Sequence, residues 1–288
     1  MGCPDASVHV VPSTVPTERL GQRDCVLSDG RTVAYAIAGD SDGVPILVHH
    51  GTPGCRLFAS LLTDAARDVG ARLIVPDRPG YGRSSSPPTD WTWTDWRRDC
   101  DELLAAESVD SAATLGFSGG GPFALATAAS ERMTRVGLVS AVVPPLDGRL
   151  ATLARLPFAI RLLFRLTDVA AQFGRAALVA EQYTDRDVDP AVAEAVAAEF
   201  HEALDQDARA PARENRLFAT RRLDVRPSVP LRAWHGRRDG NTPLEPVRTF
   251  VRTADGTVTT HGADHLGTLL DCRRKALSWL VAGVRQTP

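Results

Sequence analysis

The stretch LGFSGGGPFALA, residues 115–126, sets a serine among glycines between two apolar runs. The residues before the serine are typical of a buried strand, and the alanine-rich residues after it are typical of a helix. A serine at such a turn can simply cap the helix that follows. The same residues read G-x-S-x-G from Gly116 to Gly120, the pattern of a strained strand-to-helix turn that exposes a nucleophilic hydroxyl. Because short glycine patterns recur by chance, other motifs must discriminate between the two interpretations.

Around this stretch, apolar runs typical of strands alternate with segments typical of helices. The runs are continuous rather than alternating, which predicts a parallel sheet covered by helices on both faces. From about 146 to 227 only helical patterns occur, and the alternation then resumes. We therefore predict an α/β fold: a mostly parallel eight-stranded sheet flanked by helices, with a helical cap inserted after strand 6. The runs assigned to strands include 44–51, 71–80, 111–119, 134–145, 229–236 and 256–262.

The predicted domain organisation is a core interrupted by one insertion. It comprises a flexible N-terminal tail at 1–22, a core made of 23–145 and 228–288, and a cap, or lid, at 146–227. The chain begins Met-Gly-Cys, but Ala6 stands where an N-myristoylation signal needs serine or threonine. The first residues also lack the basic start and apolar centre of a signal peptide, so a cytoplasmic location is expected.

The composition narrows the possible partners and cofactors. A net charge of -2 in 288 residues gives no basic field for nucleic acid, and no apolar run is long enough to cross a bilayer. The five cysteines show no metal-binding spacing, and Lys275 is the only lysine, which leaves little room for Schiff-base chemistry. We expect a small-molecule acyl substrate, no cofactor, no metal, and no nucleic-acid or membrane partner; the oligomeric state stays open.

A serine nucleophile needs a base and an orienting acid, because its hydroxyl is weakly nucleophilic at neutral pH. In a parallel sheet, the loops after the strands converge on one edge, where ligands bind. His265 follows the last predicted strand and is the preferred base, while His261 is expected to lie within that strand and stays the alternative. Asp239 follows the preceding strand and is the preferred acid, with Asp147 as its alternative.

The chain order Ser118, Asp239, His265 is the nucleophile-acid-base order of the α/β-hydrolases. On this order and the motifs around it, the sequence resembles the α/β-hydrolase fold family, of the lidded serine hydrolase or esterase type, over about 25–284. The motifs that carry the resemblance, besides G-x-S-x-G, are HHGTPG at 49–54, DRPGYGRSS at 77–85 and WHGRRD at 234–239.

The resemblance implies an oxyanion hole made by the backbone N–H groups of Gly119 and Thr52, which would stabilise a tetrahedral intermediate. A structural Gly-Pro turn is the alternative for HGTPG. The implied function is a serine hydrolase that cleaves a carboxylic ester, thioester or related acyl bond of a small molecule through an acyl-enzyme. Alternatives on the same triad are cofactor-free lyase or cyclase, carbon–carbon hydrolase and haloperoxidase-type chemistry; another is a ligand-binding, receptor-like protein with slow turnover.

Three other groups of residues are assigned no chemistry. The Asp77-Arg78 turn is expected to shape the edge of the site. Three tryptophans can line an entrance or pack in the core: Trp91, Trp93 and Trp96. The cap helix near 149–166 is interrupted by a proline and carries apolar side chains expected to face the core or the pocket and to set substrate length: Leu153, Leu156, Phe158, Ile160, Leu163 and Phe164.

Overall fold

An eight-stranded sheet forms the centre of the protein in a computed structural model, which describes residues 20–146, 156–173 and 176–284. The strand order is β1-β2-β4-β3-β5-β6-β7-β8. β2 is antiparallel to both of its neighbours, and all pairs from β4 to β8 are parallel, which confirms the predicted sheet. The strands are β1 (Gly21–Val26), β2 (Thr32–Gly39), β3 (Val44–His49), β4 (Ala71–Pro76), β5 (Ala112–Phe117), β6 (Met133–Val139), β7 (Leu231–Gly236) and β8 (Thr257–His261).

Helices cover both faces of the sheet. α1 and α9 pack together on one face, while α2 and α3 pack together on the other. In chain order the helices are α1 (Thr63–Val69), α2 (Trp93–Ala106), α3 (Gly121–Thr127), α4 (Pro157–Phe173), α5 (Ala176–Ala180), α6 (Pro190–Ala203), α7 (Arg209–Thr220), α8 (Leu244–Thr253) and α9 (His265–Val284). None of them, within the described part of the chain, combines the length and apolar character needed to cross a membrane.

The helices α4 to α7 lie between β6 and β7, and we call them the insertion. The insertion is fastened to the loops that follow the strands. Leu266 N–H donates to Tyr183 O at 2.8 Å, and Leu146 N–H donates to Phe218 O at 2.7 Å. Arg56, in a 3-10 turn beside α6, forms an ion pair with Glu202 of that helix. The insertion therefore covers the edge of the sheet at which β3, β5 and β8 end.

Some elements differ from the sequence-based expectation. The segment 56–69 has a sequence pattern that predicts one helix, but in the structure a 3-10 turn at Arg56–Leu61 precedes the shorter α1. β6 ends at Val139, well before 145, because Ser140 adopts a left-handed conformation with φ of 45° and turns the chain away. The tail prediction falls almost wholly on residues outside the described ranges, and β1 begins at Gly21.

The apolar residues of the cap helix point in several directions. Ile160 is buried, but Leu156, Leu163 and Phe158 are exposed, the last at 77%. Leu153 lies outside the described residues. The three tryptophans of residues 91–96 are buried in the core on the side of the sheet that α2 and α3 cover, so they do not line an entrance.

Candidate active site

Ser118 lies at the sharp turn between β5 and α3. Its φ of 51° is in the left-handed region, which non-glycine residues adopt only when the surrounding structure enforces it. The flanking glycines make this turn possible: a Cβ on Gly116 would lie 2.8 Å from Gly120 O, and a Cβ on Gly120 would lie 2.6 Å from His50 O. Gly119 and Gly120 are buried, whereas Ser118 is half-buried. The turn therefore presents the serine at the sheet edge.

His265 is the first residue of α9, and its imidazole contacts the carboxylate of Asp239, in the loop after β7. Nδ1 lies 2.9 Å from Asp239 Oδ2 and 3.0 Å from Oδ1. Both side chains are almost completely buried. The carboxylate also accepts hydrogen bonds from the backbone N–H groups of Asn241 and Thr242, each at 2.9 Å. Such a pair fixes the orientation of the imidazole and leaves Nε2 for other chemistry.

The electrostatics of Asp239 favour its charged form. Burial disfavours the carboxylate, but the hydrogen bond and the charge of His265 outweigh burial and hold the pKa of Asp239 well below its usual range. The alternative base, His261, is the last residue of β8, and burial lowers its pKa. The alternative acid, Asp147, lies outside the described residues. The structure thus joins the preferred acid to the preferred base.

Ser118, His265 and Thr52 line one small cavity of about 30 Å³. The sheet side of its wall is mostly apolar and includes Phe117, whose ring centroid lies 4.9 Å from that of His265. The insertion side is formed by Tyr183, Val196, Glu199 and Phe200. Of the cap residues expected in the pocket, none that the structure describes is among these, because α6 rather than α4 supplies the wall.

Gly119 and Thr52 lie directly against each other. A Cβ on Gly119 would lie 2.6 Å from Thr52 Cβ and 3.2 Å from Thr52 N, so glycine alone fits there without displacing the neighbouring loop. This brings the two backbone segments chosen for an oxyanion hole together beside Ser118.

Arg78 has a role that the sequence analysis did not assign. Its guanidinium is fully buried and donates hydrogen bonds to two carbonyls of the loop after β3, His50 O at 2.6 Å and Gly51 O at 2.8 Å. It forms an ion pair with Glu214 of α7, with Nε 2.7 Å from Oε1. Burial disfavours the cation, but the charge of Glu214 raises the pKa of Arg78 above its usual value. Arg78 thus links the insertion, through its salt bridge with Glu214, to the loop that carries Thr52, through its hydrogen bonds.

Glu214 also holds the Thr52 side chain directly. Thr52 Oγ1 donates to Glu214 Oε2 at 2.6 Å, and Tyr81 Oη donates to the same oxygen at 2.8 Å. The sequence contained a signal for this residue, since Glu214 shares a helix face with Pro211 and Phe218, both of which are buried. A charged residue on a buried helix face needs a buried partner.

Glu199 is a second acidic residue that the sequence analysis missed. It lies on the buried face of α6 with Val196, Phe200 and Ala203, and it lines the cavity. Burial raises the pKa of its carboxyl to about 8, and the charge of Asp77 acts in the same direction. The carboxyl is therefore protonated at neutral pH.

In the part of the chain that the structure describes, no group of three or more histidine, cysteine, aspartate or glutamate side chains is arranged to hold a metal ion. Ser118, His265 and Thr52 line one cavity, Asp239 is hydrogen-bonded to His265, and Gly119 lies against Thr52.

Comparisons with known proteins agree with the fold. A family model described as alpha/beta hydrolase fold matches residues 44–178. The chain is 36% identical over 123 residues to the non-heme chloroperoxidase of Streptomyces lividans, covering 41% of this chain and 44% of that protein. It is 31% identical over 140 residues to lipase 1 of Psychrobacter immobilis, covering 45% of this chain and 43% of that protein. The solved structure of an esterase from Exiguobacterium antarcticum has a TM-score of 0.68 at 20% identity, covering 92% of this chain and 100% of that chain.

The matches span less than half the length of these two curated relatives. Together with the eight-stranded sheet, they show that the chain has the α/β-hydrolase fold, which confirms the fold implied by the resemblance seen in the sequence.

We predict that Glu214→Ala lowers the free energy of unfolding by about 3–5 kcal/mol, because Arg78 would remain buried without its partner. Glu245→Ala is the matched control, since it breaks a surface ion pair with Arg248. The Glu245 side chain is 75% exposed. Urea unfolding of both variants measures the difference. Equal, small losses in the two variants would show that the buried pair contributes no more than a surface pair.

Proposed function

We propose that the protein is a serine hydrolase that cleaves a carboxylic ester, a thioester or a related acyl bond of a small molecule. The observation that carries this proposal is the buried Asp239–His265 hydrogen bond at the cavity that Ser118 also lines. The match to the alpha/beta hydrolase fold model and the lipase and esterase among the similar proteins support hydrolase chemistry. The fold by itself does not choose a substrate, so the proposal rests on the side chains of the site.

In the acylation step, Ser118 Oγ attacks the substrate carbonyl carbon while His265 Nε2 takes the hydroxyl proton. Asp239 holds the imidazole in the required tautomer and stabilises the imidazolium that forms. The intermediate collapses, the bond to the leaving group breaks, and His265 returns the proton to the departing oxygen or sulfur. The products of this step are an acyl-enzyme on Ser118 and a free alcohol or thiol.

The carbonyl oxygen becomes negatively charged in the intermediate. The N–H groups of Gly119 and Thr52 would donate hydrogen bonds to it, and each such donor contributes about 3–4 kcal/mol to transition-state stabilisation. The contacts from Glu214 to Thr52 and from Arg78 to Gly51 would keep this loop in place as charge develops. Preorganised donors are effective because they need not reorient during the reaction.

Deacylation repeats the sequence with water. His265 removes a proton from the water as it attacks the acyl carbon, and it then delivers this proton to Ser118 Oγ as the acyl bond breaks. The carboxylic acid leaves and the serine is restored. The cycle consumes one water and needs neither an oxidant nor a reductant.

The insertion would act as a lid over this chemistry. The cavity of about 30 Å³ is far smaller than the roughly 300–1,000 Å³ of typical small-molecule sites, so substrate entry would require the wall formed by Tyr183 and α6 to move outward. Closure would then remove bulk water from the reacting groups, which strengthens the electrostatic interactions among them.

Peracid formation is a second candidate activity, favoured by the similarity to a protein named non-heme chloroperoxidase. Hydrogen peroxide, in place of water, would attack the same acyl-enzyme and release a peracid, which oxidises halide in solution. Comparing peracid release with ester hydrolysis at equal enzyme concentration separates the two activities.

The first test replaces the nucleophile. Ser118→Ala is expected to abolish hydrolysis of p-nitrophenyl acetate and labelling by a fluorophosphonate, because the hydroxyl carries the covalent step, while circular dichroism remains that of the wild type. An active Ser118→Ala protein would overturn the proposal. A wild-type protein that is folded but takes up no label would favour a ligand-binding role.

We predict that Asp239→Asn lowers kcat by about 10⁴-fold, because a neutral amide favours the wrong imidazole tautomer. Asp147→Asn is the control and should change kcat by less than about tenfold. Steady-state kinetics on a chromogenic ester measures both. The reverse order of effects would assign the acid to the segment that follows β6.

The acyl-length preference tests the insertion as a specificity element. Phe200 lines the cavity, so Phe200→Ala is expected to raise kcat/KM for an octanoyl ester relative to a butyryl ester by about tenfold. Phe158→Ala is the matched control, because Phe158 is exposed on α4. Fluorophosphonate labelling should stay unchanged in both variants. An equal loss for all chain lengths in Phe200→Ala, with a matching loss of folded protein, would limit Phe200 to packing.

A further inference from the structure

Glu199 differs from the other buried acidic residues of the site because no charged partner holds it. Asp77 is paired with Arg56 at 2.9 Å, and Glu214 is paired with Arg78 at 2.7 Å. Among the described residues, no ion pair involves Glu199. A buried carboxyl without a cation needs hydrogen bonds from another source.

The position of Glu199 places its carboxyl beside the reacting groups. Glu199 lines the same cavity as Ser118 and His265. Its Oε1 lies against Gly54, where a Cβ would be only 2.6 Å away, so glycine makes room for the carboxyl. The backbone N–H of Cys55 acts to lower the pKa of this carboxyl, but burial outweighs it. A carboxylic acid has further hydrogen-bonding capacity, including one O–H donor, and the surrounding cavity wall is mainly apolar.

From these contacts we propose that Glu199 recognises the substrate by donating a hydrogen bond from its carboxyl to an oxygen atom in the acyl or alcohol chain. The pocket would then prefer esters that carry an ether, hydroxyl or carbonyl oxygen close to the scissile bond over esters with purely hydrocarbon chains. This inference rests on the proposed hydrolase function and specifies its substrate class.

The groups around Glu199 determine the pH range in which it can donate. From the loop after β3, His50 is kept neutral because burial and Arg78 lower its pKa, and the pKa of the Cys55 thiol is raised by burial. Across the cavity, burial raises the pKa of Tyr183, so this phenol also stays neutral. On the far side, Arg78 carries a positive charge that Glu214 balances.

The remaining neighbour is Asp77, whose pKa burial raises to about 6 and whose charge is balanced by Arg56. The pKa of Glu199 itself is about 8. Glu199 therefore loses its donor proton as the pH rises through about 8, after the charges of Asp77 and Arg78 are already set. The proposed preference is expected below this pH and is lost above it.

The test uses pairs of esters that differ by one atom. One pair, p-nitrophenyl methoxyacetate and p-nitrophenyl butyrate, varies the acyl chain; the other, 2-methoxyethyl acetate and n-butyl acetate, varies the alcohol. Dividing kcat/KM for one ester of a pair by kcat/KM for the other removes any effect that the proposed base has on both esters alike. Comparing this ratio between proteins then removes the difference in intrinsic reactivity between the two esters. The proteins are wild type, Glu199→Gln, Glu199→Leu and a control, Glu194→Gln, from the same helix but outside this cavity.

We call kcat/KM for the oxygen-containing ester divided by kcat/KM for its hydrocarbon counterpart the ester ratio. At pH 7, we expect Glu199→Leu to lower the ester ratio by about fivefold for at least one pair. Glu199→Gln, whose amide can donate a hydrogen bond, and Glu194→Gln should keep the wild-type ester ratio. Between pH 7 and 9.5, the wild-type ratio should fall by a similar factor with a midpoint near 8, and the Glu199→Gln ratio should stay flat.

Ratios within twofold of each other for all proteins and both pairs, with no pH dependence, would overturn the proposal and leave Glu199 a packing residue. If Glu199→Leu does not fold, the pH comparison of wild type with Glu199→Gln decides alone. Failure of the hydrolase function is a separate result, since a wild-type protein without fluorophosphonate labelling or ester turnover would fail before any ratio could be measured.

Discussion

The salt bridge between Arg78 and Glu214 is the interaction on which the arrangement of the site depends. Both side chains are fully excluded from water, and removing two charges from water is costly unless every polar atom finds a partner. Here the partners are two carbonyls of the loop after β3, the Thr52 hydroxyl and the Tyr81 hydroxyl. The charges of Arg78 and Glu214 can therefore be buried together only in a single arrangement of the insertion, the loop after β3 and the loop after β4 relative to one another.

The core and the insertion divide the site between them. The strained serine turn and the Asp239–His265 pair all lie at ends of strands, where the sheet fixes their backbones. The insertion contributes the opposite wall of the cavity, including Glu199 and Phe200. This division places the groups of the proposed chemistry on the strand ends, and the groups that would contact the variable part of a substrate on the insertion.

Much of this organisation could be predicted from the sequence because it depends on local signals. Continuous apolar runs predicted the parallel sheet. The glycines around Ser118 predicted the turn, since a side chain at Gly116 or Gly120 would collide with the backbone. The cavity wall could not be predicted in the same way. Phe158 and Phe200 are both aromatic residues on insertion helices, and only packing against the sheet edge decides that one is exposed and the other buried. Glu199 and Glu214 were missed because the residues that their carboxyl groups contact, Gly54 and Arg78, are distant from them in the chain.

The separation between Arg78 and Glu214, 136 residues, also has a consequence for synthesis of the chain. At typical translation rates, Arg78 leaves the ribosome roughly 7–27 s before Glu214 does. During that interval its guanidinium has no carboxylate to accompany it into the interior, and hydration is its most favourable state. The edge of the sheet formed by the first six strands therefore remains exposed to water during this interval. The loop that carries Thr52 can adopt its final position only after the insertion has left the ribosome.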